Sequence, residues 1–178
     1  MIIFGVDPGS VNCGYGVINE NKNKVELIEY GVIHAKKKES ELPQRIQLIF
    51  EKIQSKIITT KPDAFIIESV FFSKNVQSLV KLTHARAAAI IAATNNNIPV
   101  FEYSPNEIKK SVTGKGKAGK EQVQFMVKTL LDIKETPDLF DATDALAAAI
   151  THHYRKGHRN TGKTNWSQFI KDNPDRVV

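Results

Sequence analysis

The hydrophobic period of this chain first changes near residue 40, and that change restricts the fold more than any other feature. Ahead of it, Ile2 to Val6 is a short apolar run fit for a buried strand, and Asp7-Pro8-Gly9-Ser10 stops it with turn residues. Gly14 to Ile18 reads as a second strand and Val25 to His34 as a third, joined by the polar turn Asn19-Glu20-Asn21-Lys22-Asn23-Lys24. Strands on so short a connection are antiparallel neighbours. Behind the change, Leu42, Ile46, Ile49, Phe50, Ile53 and Ile57 keep helical spacing until Lys61-Pro62-Asp63 breaks the run. Ala64 to Glu68 is a fourth strand, Val76 to Thr94 a helix whose small apolar stretch from Ala85 to Ala93 suits either the core or close approach of a second copy, and Ile98 to Tyr103 a fifth strand. A helical turn after Ser104-Pro105, a loop at 114–119, a helix from Lys120 to Leu131 and one from about Asp138 to Tyr154 complete the series. Three strands followed by alternating helices and strands predict an α/β layer fold, a five-stranded mixed sheet flanked by helices.

Composition agrees with one such unit. With 178 residues, 41% of them hydrophobic, the chain suits a single domain with a proper core. Residues 1–154 are expected to form it, whereas 155–178 are basic with few apolar anchors and read as a flexible C-terminal tail. No apolar run approaches the roughly 20 residues of a membrane span. Cys13 is the single cysteine, which excludes an internal disulfide framework and a thiolate-based zinc cluster. A soluble cytoplasmic protein with no membrane partner is therefore expected. Lysine and arginine outnumber aspartate and glutamate by 25 to 19, a formal charge of +6 that points toward polyanionic partners.

Four acids stand where acids are awkward. Asp7 ends the first apolar strand, a position ordinary turn chemistry also explains. Glu68 ends Phe65-Ile66-Ile67 while Ser69-Val70-Phe71-Phe72 continues the apolar run, so its carboxylate needs a metal, a cationic partner or a cleft. Asp141 and Asp144 lie three residues apart on a helix and share a face, where like charges repel unless a cation lies between them or the helix dipole favours them. The alanines at 142, 145, 147, 148 and 149 are small enough to let that helix approach a sheet closely. If the first and fourth strands are neighbours with this helix over them, the four acids converge. Oxygen-only ligands and a polyanionic substrate fit Mg²⁺ or Mn²⁺, two ions assisting in-line attack of water on a phosphodiester.

Several ordered blocks then resemble one family. Gly5-Val6-Asp7-Pro8-Gly9-Ser10 with Gly14-Tyr15-Gly16-Val17-Ile18, Ile67-Glu68-Ser69-Val70-Phe71, and Asp141-Ala142-Thr143-Asp144-Ala145-Leu146-Ala147 with Ala149-Ile150-Thr151-His152 resemble the bacterial RuvC Holliday-junction resolvases. Phe101-Glu102-Tyr103 and Gln122-Val123-Gln124 extend the likeness, which covers about residues 1–154. The resemblance implies a ribonuclease-H-like nuclease domain and a homodimeric, metal-dependent crossover junction endonuclease. Such an enzyme nicks two strands of like polarity in a four-way DNA junction during recombination and repair. It implies that Asp7, Glu68, Asp141 and Asp144 are the metal-binding acids, that Phe71 stacks on DNA near the junction centre, and that Lys109 and Lys120 are functional lysines. It also implies that the helix holding Ala85 to Ala93 is the dimer-forming region, which would explain its small residues, and that a branch-migration motor is a partner.

The lysines support a nucleic-acid partner independently. Lys109, Lys110, Lys115, Lys117, Lys120 and Lys128 are opposed only by Glu121 between positions 109 and 128, a strip suited to phosphate contacts or to a solvated helix face. Lys120 close to metals would stabilise charge developing on the phosphate. Gly114-Lys115-Gly116-Lys117-Ala118-Gly119-Lys120 imitates a nucleotide phosphate loop, but Glu121 stands where the Mg²⁺-binding hydroxyl belongs and no buried strand precedes it. His152 and His153 read as surface or capping histidines, although His152, eight residues beyond Asp144 on a similar helix face, could also join the acidic site, and Lys36-Lys37-Lys38 read as a solvated turn. The competing functions are a ribonuclease-H-like nuclease with another branched or hybrid substrate, an ATPase of the actin and sugar-kinase type, which needs two such domains, and a non-catalytic junction scaffold.

Overall fold

A computed structural model describes residues 1–21, 24–70, 75–134 and 140–156. The order is β1 (Ile2–Asp7), β2 (Cys13–Asn21), β3 (Lys24–Ile33), α1 (Ala35–Lys38), α2 (Leu42–Thr60), β4 (Ala64–Glu68), α3 (Val76–Thr94), β5 (Val100–Tyr103), α4 (Pro105–Thr113), α5 (Lys120–Leu131) and α6 (Phe140–Lys156). The five strands form one sheet in the order β3-β2-β1-β4-β5, antiparallel from β3 to β1 and parallel from β1 to β5. The expected mixed sheet is therefore present.

Side-chain alternation divides the core into two layers. Phe4 and Val6 of β1 with Phe65 and Ile67 of β4 face one side, where Ile49, Ile53 and Ile57 of α2 and the alanines of α3 cover them. The Phe4 and Phe65 rings stack with centroids 5.5 Å apart at the centre of that layer. Ile3 of β1 and Ala64 and Ile66 of β4 face the other side, beneath α4, α5 and α6. Ser104 caps α4 through a reciprocal bond with Glu107, and Pro105 occupies its first turn.

Three details depart from the sequence expectation, and a fourth decides between two readings. β5 begins at Val100, because Pro99 brings no N–H to the ladder, although its carbonyl accepts from the Phe65 N–H at 3.0 Å. Lys36-Lys37-Lys38 belong to a helical turn, α1, anchored by the buried Ala35 and by a Lys36 N–H bond to the Val11 carbonyl at 3.1 Å. The last helix is described from Phe140, with Asp138 outside the described residues, and it runs to Lys156, two residues beyond the expected domain end. The proposed tail from 157 onward also lies outside them. Finally, Ala85, Ala88, Ala89, Ala92 and Ala93 face inward and bring α3 against the sheet and α2, so packing within one protomer accounts for the small residues. The outer face of α3 instead exposes Val76, Val80 and Ile91, at 65%, 45% and 49%.

α6 lies on β1 and β2 at backbone distance because glycines face its alanines. A Cβ on Gly5 would collide with the Ala145 carbonyl, and one on Gly14 with the Asp141 carbonyl. The backbone atoms in the way cannot rotate aside, unlike a side chain. Gly5→Ala is expected to destabilise the protein by about 1–3 kcal/mol, lowering the melting temperature by several degrees for a domain of this size. Gly116→Ala, whose Cβ would meet only ordinary contacts at 3.4 Å or more, should stay close to wild type. Thermal unfolding followed by circular dichroism checks both.

Candidate active site

β1 and β4 run parallel with Val6 opposite Ile67, so the next residues, Asp7 and Glu68, leave the sheet side by side at the same end. Strand alternation puts both on the α6 face, in step with Gly5 and Ile66. Asp141 and Asp144 come down on them from the first two turns of α6, which the glycine contacts hold close. Lys120 at the start of α5 closes the far wall, its Nζ donating to Asp144 Oδ2 at 3.1 Å. Asp7, Glu68, Asp144, Lys109 and Lys120 line one cleft of about 190 Å³. Asp141 borders the adjoining cavity with Asn12, Ser78 and Lys81.

Electrostatics set this cluster apart from a structural ion-pair network. Burial, then repulsion from Asp144, Glu68 and Asp141, pushes the Asp7 carboxyl well above its usual range against a weaker pull from Lys120. Burial also raises Glu68, helped by Asp144 and opposed by Lys120 and Lys109. Asp141 is raised by burial, with Lys120 opposing, Asp144 adding to the rise, and a hydrogen bond from Asn12 opposing it. Burial pulls the Lys120 ammonium down, but the charge and hydrogen bond of Asp144, with Asp7 and Asp141 beyond, leave it raised. Acids arranged to repel one another in a cleft form a standing demand for positive charge.

The donor set fits a hard divalent cation: carboxylate oxygens, no thiolate, and more negative charge than two lysines neutralise. Among the described residues no three His, Cys, Asp or Glu side chains are placed to hold an ion by themselves. A hard divalent cation held by few carboxylates takes its remaining ligands from water and substrate oxygens.

Of the other residues singled out by sequence, Lys110, Lys115 and Lys117 are exposed outside the cleft, and Phe71 lies outside the described residues. His152 is not on the surface. It is 4% exposed, its Nδ1 lies 2.9 Å from the Tyr103 hydroxyl, and its ring packs on Phe101 at 4.5 Å. Arg155 lies over the Tyr103 ring and pairs with Glu107 at 2.7 Å, so it belongs to the folded domain. Sequence reading missed this network, which ties the C-terminal part of α6 to β5 and α4. The Ser-x-x-Glu capping box at 104–107 was its one legible trace. Asn12 and Lys81 were missed because each reaches the groove only through tertiary folding.

Residues 3–152 match the family described as crossover junction endodeoxyribonuclease RuvC. The chain belongs to the RuvC family. A RuvC of Cytophaga hutchinsonii is 46% identical over 176 residues, 99% of this chain and 88% of that one. The Thermus thermophilus RuvC structure superposes with a TM-score of 0.79 at 30% identity, covering 89% of this chain and 97% of that one. The same RuvC in complex with a Holliday junction substrate gives 0.81 at 31% identity, covering 88% and 96%. The ribonuclease-H-like fold implied by the sequence is the fold of these RuvC structures. RuvC nucleases are metal-dependent, in keeping with the donor set.

Raised carboxyl pKa values carry a definite sign for stability. The native state retains protons that the unfolded chain has released, so stability falls as pH climbs from the ordinary carboxylate range through the raised native values. Asp7→Asn removes one such charge. It should raise the melting temperature by a few degrees at pH 7, and the gain should vanish below about pH 4, where Asp7 is protonated in both states. Melting curves of both proteins at a series of pH values without divalent cation check this; an equal or lower melting point for the variant at pH 7 contradicts it.

Proposed function

We propose that this chain is a homodimeric, metal-dependent endonuclease that resolves four-way DNA junctions by nicking two strands of like polarity. The observation that supports this most is the meeting of Asp7, Glu68, Asp141 and Asp144 with Lys120 at one end of a RuvC-family sheet. Asp7, Glu68, Asp141 and Asp144 would hold Mg²⁺, two ions per site, with Mn²⁺ as a substitute. Bound there, Mg²⁺ supplies positive charge to the phosphoryl oxygens and lowers the pKa of an attacking water. Lys120, held by Asp144 at the rim, presents a fixed ammonium where charge builds on the scissile phosphate. Lys109 on the same wall adds a second. Lys110, Lys115 and Lys117, outside the cleft, contact phosphates further along and contribute affinity without sequence information. Phe71 stacks on an unpaired base at the junction.

Symmetric cutting calls for two sites related by a twofold axis. The exposed apolar stripe of Val76, Val80 and Ile91 on α3 is the surface assigned to the partner copy. No helix among the described residues is long and apolar enough to cross a membrane. The enzyme acts in the cytoplasm, alongside a branch-migration motor.

A mobile four-way junction and a linear duplex of the same sequences, each incubated with and without Mg²⁺, test the activity. Paired nicks in the junction alone, dependent on Mg²⁺, are expected. Comparable cleavage of duplex or of RNA–DNA hybrid assigns the site to another substrate. Asp7→Asn should lower cleavage at least a thousandfold while junction binding persists; unchanged cleavage removes Asp7 from its role. Ile91→Asp is expected to shift the protein from dimer to monomer in sedimentation and to uncouple the two nicks. A dimer that survives the substitution relocates the interface.

A further inference from the structure

The groove over the acids continues past them. Asp7, Glu68 and Pro105 line both the Lys120 cleft and a middle section, and that section shares Ser78 and Leu82 with a wider end of about 480 Å³. At the wider end Lys81 of α3 faces the β1–β2 connection at Val11 and Asn12. That connection is fastened to α1: the Lys36 N–H donates to the Val11 carbonyl at 3.1 Å, and His34 Nδ1 stands 3.2 Å from Asn12 Oδ1. The exposed Lys36, Lys37 and Lys38 therefore stand beside the groove. Lys56, Arg86, Lys120 and Arg155 are each paired with a carboxylate, whereas Lys81 and the α1 lysines make no ion pair among the described residues. Glu39 and Glu41 follow α1 and Asp141 borders the wider end with Lys81, so four lysines against three carboxylates leave one formal positive charge.

A polynucleotide strand lying across the acids has to leave them in both directions. Lys109 and Lys120 serve one direction only. A strand held at one end swings about the reaction centre, and misplacement of the order of an ångström costs about a hundredfold in rate. We propose that Lys81 and the run Lys36-Lys37-Lys38 form a second phosphate-binding strip, which holds the DNA strand on the far side of the scissile phosphate from Lys109 and Lys120. The proposal rests on the junction-cutting function above. Ser10, Asn12 and Ser78 along the groove are uncharged, so the lysines supply the charge that holds the backbone, an attraction that carries no sequence information.

Cross-linking tests the path directly. Cys13 is the chain's single cysteine and is buried, its thiol pushed up to about 12 by burial, so a cysteine introduced at the surface carries the one reactive thiol. Lys37→Cys and Lys117→Cys, each bearing a short photo-cross-linker, are irradiated with a four-way junction in EDTA and the adducts mapped. Adducts on opposite sides of the scissile phosphate are expected. Absence of a Lys37→Cys adduct, or one on the same side as that of Lys117→Cys, overturns the proposal. In parallel, substituting Lys36, Lys37, Lys38 and Lys81 together by alanine should weaken junction binding at least tenfold near physiological salt and flatten the dependence of log K on log salt by about 2 to 4. An unchanged slope overturns it as well. Lys52→Ala, a lysine of α2 outside both the groove and α1, should leave binding as in wild type. Failure of the wild-type protein to bind the junction defeats the functional reading itself; binding with a Lys117→Cys adduct but none from Lys37→Cys defeats only the second strip.

Discussion

The approach of α6 to the glycines of β1 and β2 is the contact on which the active end depends. A helix normally stands off a sheet by the length of two side chains, and here Gly5 and Gly14 remove the sheet's contribution while Ala145 and Ala149 reduce the helix's. The result is a helix seated by backbone contact at the turn that carries Asp141. Asp7 and Glu68 have no freedom to adjust either, since both terminate strands locked in register. The acids are thus positioned by the main chain, and their mutual repulsion cannot relax by rearranging the scaffold.

That repulsion is what the core has to offset. A desolvated Asp7 among three more carboxylates destabilises the native state, and one lysine bonded to Asp144 relieves only part of it. The two apolar layers, with Phe4 and Phe65 at the centre of one and Leu146 and Ile150 in the other, supply the stabilising term. A site kept electrostatically unsatisfied has affinity in reserve for cations and for the phosphates they accompany.

The sheet, the helix between each later strand and the four acids were legible in the sequence because they depend on local period and on carboxylates in apolar runs. Glu68 was readable for that reason: an acid after Phe65-Ile66-Ile67 needs a metal, a cationic partner or a cleft. Residues whose meaning depends on who lies opposite were not legible. Gly5 and Gly14 look like ordinary strand glycines until α6 is seen against them. His152 looks like half of a surface pair until Tyr103 is found 2.9 Å away. The alanines of α3 admit either an internal or an intermolecular contact, and only the direction they face decides for the former.

The acids are drawn from positions 7, 68, 141 and 144, nearly the whole length of the folded unit. The β1–β2–β3 meander needs only local pairing, but β4 joins β1 after a helical crossover and α6 follows every strand in chain order. A nascent or truncated chain that ends before α6 carries two acids on bare strand ends and lacks the other pair. The full set of acids in this architecture is therefore assembled only once α6 has been made and has docked on the glycines of β1 and β2.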